Sequence, residues 1–204
     1  MRKLAFILLA VPALALAQDA APQLQEDPRV AKFRDVERGF FVGFEVGYLG
    51  LTDTPTADKV KYPLAGKSGG NAGGMLVGAM LGYDIGQHFS VALVGQGGNE
   101  KANPNYGAFS LLGAGLDVRV GLKAWRDRND WQRLFVYAHG RGSYTWTFPE
   151  GLFGRSDLIV AGGPGVEYFT KLRHFSVGAA VDAVYATKAK ALGYAIYPTV
   201  RYTF

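Results

Sequence analysis

The sequence predicts an all-β fold, an eight-stranded antiparallel transmembrane β-barrel in up-and-down meander order, spanning Phe40 to Phe204. Three observations predict it. Apolar and polar residues alternate with a period of two through eight segments. Most of these segments run for about ten residues, the length a strongly tilted strand needs to cross hydrocarbon, whereas strands of water-soluble domains usually hold about five or six. Aromatic residues sit near the ends of the apolar faces, where a membrane barrel carries its two interfacial girdles.

Ahead of the first strand, Arg2 and Lys3 precede an apolar run from Leu4 to Val11, then Pro12 and the small-residue ending Ala15-Leu16-Ala17. This order of charge, grease and small residues is that of a secretory signal peptide, so residues 1–17 are expected to be removed and Gln18 to begin the mature chain. The alternative, a membrane-anchoring helix, is disfavoured because the run is short for about 30 Å of hydrocarbon. Residues 18–39 mix charges with Pro22 and Pro28 and have few large apolar residues to bury. They read as a flexible periplasmic tail.

The first strand, Phe40 to Leu51, places Phe40, Val42, Phe44, Val46 and Tyr48 on one face and Gly43, Glu45 and Gly47 on the other. Met75, Val77, Leu81 and Tyr83 carry the apolar face of the second; Phe89, Val91 and Leu93 that of the third; Leu112, Leu116, Val118, Val120 and Leu122 that of the fourth. Leu134, Val136, Tyr144, Trp146 and Phe148 mark the fifth, Leu158, Val160, Val166 and Tyr168 the sixth, and Phe175, Val177, Val181 and Tyr185 the seventh. The eighth alternates through Leu192, Tyr194, Ile196, Val200, Tyr202 and Phe204. In hydrocarbon an open sheet edge would leave backbone groups unsatisfied, so this last strand must pair with the first.

The link Gly86-Gln87-His88 suits a periplasmic hairpin turn, as does Phe169 to His174. Thr52–Gly74, Gly97–Gly107, Pro149–Ser156 and Ala186–Ala191 would then lie on the outer side. The connection Ala124 to Arg133 would be periplasmic and carries Trp125 and Trp131, read either as interfacial anchors or as the docking loop for a protein partner.

Composition removes many chemistries. The chain has no cysteine, which excludes a lipoprotein anchor, disulfides, thiolate-bound metal and thiol nucleophiles. Its formal charge of +5 includes Arg2 and Lys3, and its basic residues are scattered among acids, unlike those of a nucleic-acid binder. Gly66-Lys67-Ser68 echoes a phosphate-binding loop, but that motif needs glycine where Lys61 stands. No cofactor or metal is expected. His139 and Ser143 lie four residues apart on one face of a strand, about 13 Å between Cα atoms, too far for a catalytic pair. His88 and His174 fall at predicted turns.

The inward faces collect charge. Glu45, Asp84, Asp117, Glu167 and Asp182 are expected to meet Arg119, Lys123, Arg141 and Arg201, with His139 among them. A narrow lumen favours such pairs, because an unpaired buried charge costs several kcal/mol. The reading is a stabilising plug, with a gated pore or proton path as the alternative.

The segment Leu192-Gly-Tyr-Ala-Ile-Tyr-Pro-Thr-Val-Arg-Tyr-Thr-Phe204 resembles the C-terminal signal read by the barrel-assembly machinery of outer membranes, with Tyr202 and Phe204 at its end. Residues 40–204 resemble the small eight-stranded barrels related to the transmembrane domain of outer-membrane protein A. In signal peptide, size and strand layout the chain is also similar to small outer-membrane proteins of myxobacterial gliding motility. Lipid A deacylases of similar size carry His-x-Ser, whereas Arg141 stands two residues beyond His139. The resemblance implies an outer-membrane location, contact with outer-membrane lipid and passage through the assembly machinery; the missing catalytic constellation, the filled interior and the loop with Trp125 and Trp131 lead to the expectation of periplasmic or outer-membrane protein partners. The expected role is a non-enzymatic anchor or component of an envelope assembly, in motility or adhesion; a lipid-modifying enzyme and a narrow solute channel are the alternatives.

Overall fold

A computed structural model describes residues 38–53, 72–101, 108–127, 131–148, 156–170, 172 and 174–204. The expected signal peptide and nearly all of the expected tail lie outside the described residues. Eight strands form: β1 (Phe40–Asp53), β2 (Ala72–Ile85), β3 (Phe89–Lys101), β4 (Ala108–Arg126), β5 (Gln132–Phe148), β6 (Ser156–Phe169), β7 (Phe175–Ala186) and β8 (Ala191–Thr203). Each pairs antiparallel with the next, and β1 pairs with β8 to close the barrel.

The closure follows from the register. Phe41 lies opposite Thr203 and Phe44 opposite Val200, and the Phe204 amide donates to the Phe40 carbonyl at 2.8 Å. Tyr202 and Phe204 point outward while Arg201 and Thr203 are buried inside. Proline lacks the ladder donor, so Pro198 and Pro164 each leave a two-pair gap in one ladder, β1–β8 and β6–β7, without shifting the register.

Some connections differ from expectation because strands continue where turns were predicted. β3 runs to Lys101, four residues past the predicted start of its loop at Gly97. β4 runs to Arg126 and β5 begins at Gln132, so Trp125 belongs to a strand and the turn shrinks to residues 127–131. The Asp127 amide closes that hairpin on the Trp131 carbonyl at 2.8 Å. The sharp β2–β3 turn is made possible by Gly86, whose φ of 67° suits a residue without Cβ.

Solvent exposure is inverted relative to a water-soluble protein. Phe44, Leu93 and Leu122 are each 62% exposed, whereas Glu45 and Asp117 are 1% exposed. An outward girdle at the end bearing the described chain ends contains Phe40, Tyr83, Tyr168, Tyr202 and Phe204; the opposite end carries Tyr48, Trp146, Phe148, Tyr185 and Tyr194. Rings within each girdle touch, as in Phe40 against Tyr83 with centroids 4.9 Å apart and Tyr144 against Trp146 at 5.1 Å. Large apolar faces outside and buried charge inside fit hydrocarbon rather than water as the surrounding solvent.

Candidate functional site: the filled lumen

The inward faces are built by the same alternation, and they stack in three layers along the barrel axis. The middle layer is a connected set of ions. Arg141 on β5 grips Glu45 on β1 with two parallel hydrogen bonds, Nη1 to Oε1 at 2.5 Å and Nη2 to Oε2 at 2.8 Å, across the lumen. Its Nε also donates to Asp117 Oδ2 at 3.2 Å. Asp117 accepts from Arg119 Nε at 3.2 Å and from His139 Nδ1 at 2.9 Å. The other ring nitrogen of His139 meets Asp182 Oδ1 at 2.7 Å, and Tyr197 Oη donates to Asp182 Oδ2 at 2.8 Å.

His139 therefore faces a carboxylate at both nitrogens. A neutral imidazole has one N–H, so filling both contacts requires the imidazolium or a protonated aspartic acid. Asp117 already accepts from two guanidinium groups and Asp182 from a phenol, which favours ionised carboxylates and a charged ring.

At the end carrying Arg38 and Phe204, Arg201 pairs with Asp84 and lies 3.8 Å from Glu167, which accepts from Ser176 at 2.6 Å. Arg38 had been placed in the tail. Its guanidinium instead stacks over Phe135 and Phe169, 4.7 and 5.3 Å from the ring centres, and reaches to 3.9 Å from Asp84.

Lys123 is the correction. It was expected inside, yet it is exposed on the outer wall with its ammonium 5.0 Å from the Trp125 ring centre. The cause is a bulge: Gly121 pairs with Tyr137 but Lys123 pairs with Val136, so the extra residue Leu122 reverses the alternation beyond it. Trp125 turns outward for the same reason, whereas the Trp131 ring sits 4.9 Å from the Arg133 guanidinium. The two tryptophans thus do not share one loop. With Lys123 outside, the five acids expected in the lumen are met by Arg119, Arg141 and Arg201 together with Arg38 and His139, and Glu100 and Asp157 are buried as well.

The layer at the opposite end is largely apolar, which the reading of charges did not anticipate. Leu49, Leu51, Leu76, Phe109, Leu111 and Ile159 form a buried cluster with Tyr197. Their position on the charged side of each alternation was the available signal. Asp157 was also missed: buried at the β6 start, it accepts from the Lys188 and Ala189 amides at 2.8 and 2.9 Å and ties the β7–β8 turn down. Glycines make room for large inward groups, since a Cβ on Gly165 would lie 2.3 Å from the Tyr137 ring and one on Gly78 2.5 Å from a Glu45 oxygen. Among the described residues, small voids of about 30 Å³ beneath the β2–β3 turn and about 20 Å³ beside Tyr197 lie in the lumen. Each is room for one or two waters, not for a solute path.

The histidines outside the network have other surroundings. His88 is exposed in the β2–β3 turn, and His174 Nδ1 donates to the Thr203 carbonyl at 3.0 Å while its ring stacks on Tyr202. Ser143 is buried in the wall and is not among the hydrogen-bond partners of His139.

This geometry defines a class: a closed eight-stranded antiparallel β-barrel with an apolar exterior and a filled, charged interior. No protein-family model matches the chain, and no curated protein sequence does. Among solved structures, the chain is similar to Neisserial surface protein A (NspA), with a TM-score of 0.60 at 15% identity, covering 81% of this chain and 97% of that one. It also aligns with the outer membrane protein OprG from Pseudomonas aeruginosa, with a TM-score of 0.48 at 13% identity over 84% and 99% of the two chains. Likeness to NspA at this identity establishes the fold. These comparisons lend no support to the resemblance to gliding-motility proteins such as CglE.

Proposed function

We propose that the protein is a non-conducting, non-enzymatic barrel of an outer membrane, which anchors or organises other envelope proteins through its ends. The observation that carries this reading is the filled lumen. An ion network whose members satisfy one another spans the middle, and an apolar layer lies on one side of it. A solute channel would need a continuous polar path, and an enzyme would need a nucleophile or base free to meet substrate, whereas His139 is held on both sides. An outward surface of large apolar side chains between two aromatic girdles supports the membrane location.

The anchoring role is tested by cross-linking in native envelopes, followed by affinity isolation of the barrel. Recovery of a defined envelope protein at stoichiometric yield is the expected outcome. A barrel that stays monodisperse with nothing cross-linked to it removes the role. Deletion that altered the mass of outer-membrane lipid would instead favour a lipid-modifying enzyme.

A further inference from the structure

We propose that the outer wall over β2, β3 and β4 seats one acyl chain of a membrane phospholipid along β3, with the ester linkage at its head against Asn99 and Ser110. Two observations meet on these strands. The first is a trough in the wall. Between Leu93 and Asn99 the outward face of β3 carries only Gly95 and Gly97. Hollows of about 530 and 260 Å³ lie over the successive rows Ala79-Gly95-Ala114 and Val77-Gly97-Leu112, and Leu81 and Leu93 close the end nearer the membrane centre. The second is a break in the aromatic girdle. One row of paired residues crosses the wall at that height in the order Tyr48, Met75, Asn99, Ser110 and Phe148, so two aromatic residues flank a gap at the mouth of the trough. There Ser110 Oγ donates to Asn99 Oδ1 at 2.7 Å, which leaves the NH2 group of the exposed Asn99 side chain to donate outward.

An apolar trough with an amide donor at its mouth matches an acyl chain with a carbonyl oxygen at its head. Asn99 and Leu93 lie about 20 Å apart along the strand, or about 15 Å along the membrane normal at a tilt of about 40°. That is half of about 30 Å of hydrocarbon, the depth of one leaflet. Moving a chain from lipid to the wall gains no hydrophobic free energy, so the trough holds it by packing along floor and sides and by the hydrogen bond at its head. A second copy of the barrel fits less well, because a two-fold contact would set hollow against hollow and leave both unfilled. This seat rests on the membrane location of the outer wall and is independent of the anchoring role.

The test uses the full chain, refolded into vesicles of palmitoyl-oleoyl phosphatidylethanolamine and phosphatidylglycerol, extracted in mild detergent and weighed intact by native mass spectrometry. The wild type should carry one bound phospholipid. Gly95→Leu fills the trough without strain, since a Cβ there meets nothing within 4 Å and the backbone is outside the left-handed region, and it should come out free of lipid. Gly140→Leu is the control, equally open but on β5 away from the trough, and should keep the lipid. If Gly95→Leu does not fold, nuclear Overhauser contacts in the wild type decide: in bicelles of the same lipids, acyl-chain protons should reach the Gly95 and Gly97 amides more strongly than that of Gly140. Flotation of the vesicles tests insertion separately, and a chain that does not float removes the membrane location itself. A chain that floats yet carries no lipid, equal retention in wild type and Gly95→Leu, equal loss in Gly95→Leu and Gly140→Leu, equal Overhauser contacts, or a lipid-free mass of two copies overturns the seat.

Discussion

Arg141 holds two carboxylates at once, and its removal leaves Glu45 buried at the barrel centre with no cation of its own. Breaking a buried pair from one side costs about 3–5 kcal/mol. Arg141→Ala should therefore lower unfolding stability by about that amount in a urea titration, and adding Glu45→Gln should recover part of it. His139 gives a second prediction at this scale: nitrogen NMR should show a proton on both ring nitrogens, because each faces an aspartate. His139→Asn cannot span both and should destabilise by about 1–3 kcal/mol. Most of these residues could be found in the sequence, since a charge at an inward position of an alternating strand has few places to go. Tyr137 and Tyr197 were harder. They are large and look like membrane-facing residues, and only their positions opposite the greasy faces of β5 and β8 reveal that they point inward.

At the scale of elements, the strands that could be read best were those whose alternation is uninterrupted, such as β8 from Ala191 to Thr203. Where a bulge intervenes, the alternation misleads. Leu122 carries no mark that it is an extra residue, and Lys123 was therefore assigned to the wrong face. Ends of strands were lost for a related reason: Gly97, Gly98 and Asn99 are loop-forming residues by composition, yet β2 pairs with them through Gly97↔Val77 to Asn99↔Met75. Turns pinned by one side chain are also invisible to periodicity. Asp157 accepts from Leu158, Lys188 and Ala189 amides and from the Thr187 hydroxyl, in a turn where Lys190 has a φ of 53°. Asp157→Ala should cost about 1–3 kcal/mol and speed hydrogen exchange at the amides of Lys188 and Ala189 while leaving β1 unchanged.

For the whole molecule, closure and inversion together define what the chain can be. With β1 paired to β8, the described strands form a hydrogen-bonded cylinder with no free edge, and the outer wall is apolar. Such a cylinder should resist detergent until boiled, so the folded chain should migrate faster than the heated one on a gel. The inside is the more specific feature, because eight strands enclose only enough space for side chains to fill. Here, among the described residues, charged pairs occupy the middle, and leucine, phenylalanine and isoleucine the end beyond Tyr197. A lumen filled by its own side chains among the described residues directs the search for function toward the two ends of the barrel. The measurement that bears on this most directly is a planar-bilayer recording of the purified, folded chain. The proposed plugged lumen predicts no stable conductance above background, and large, long-lived channels from the wild-type protein would contradict it.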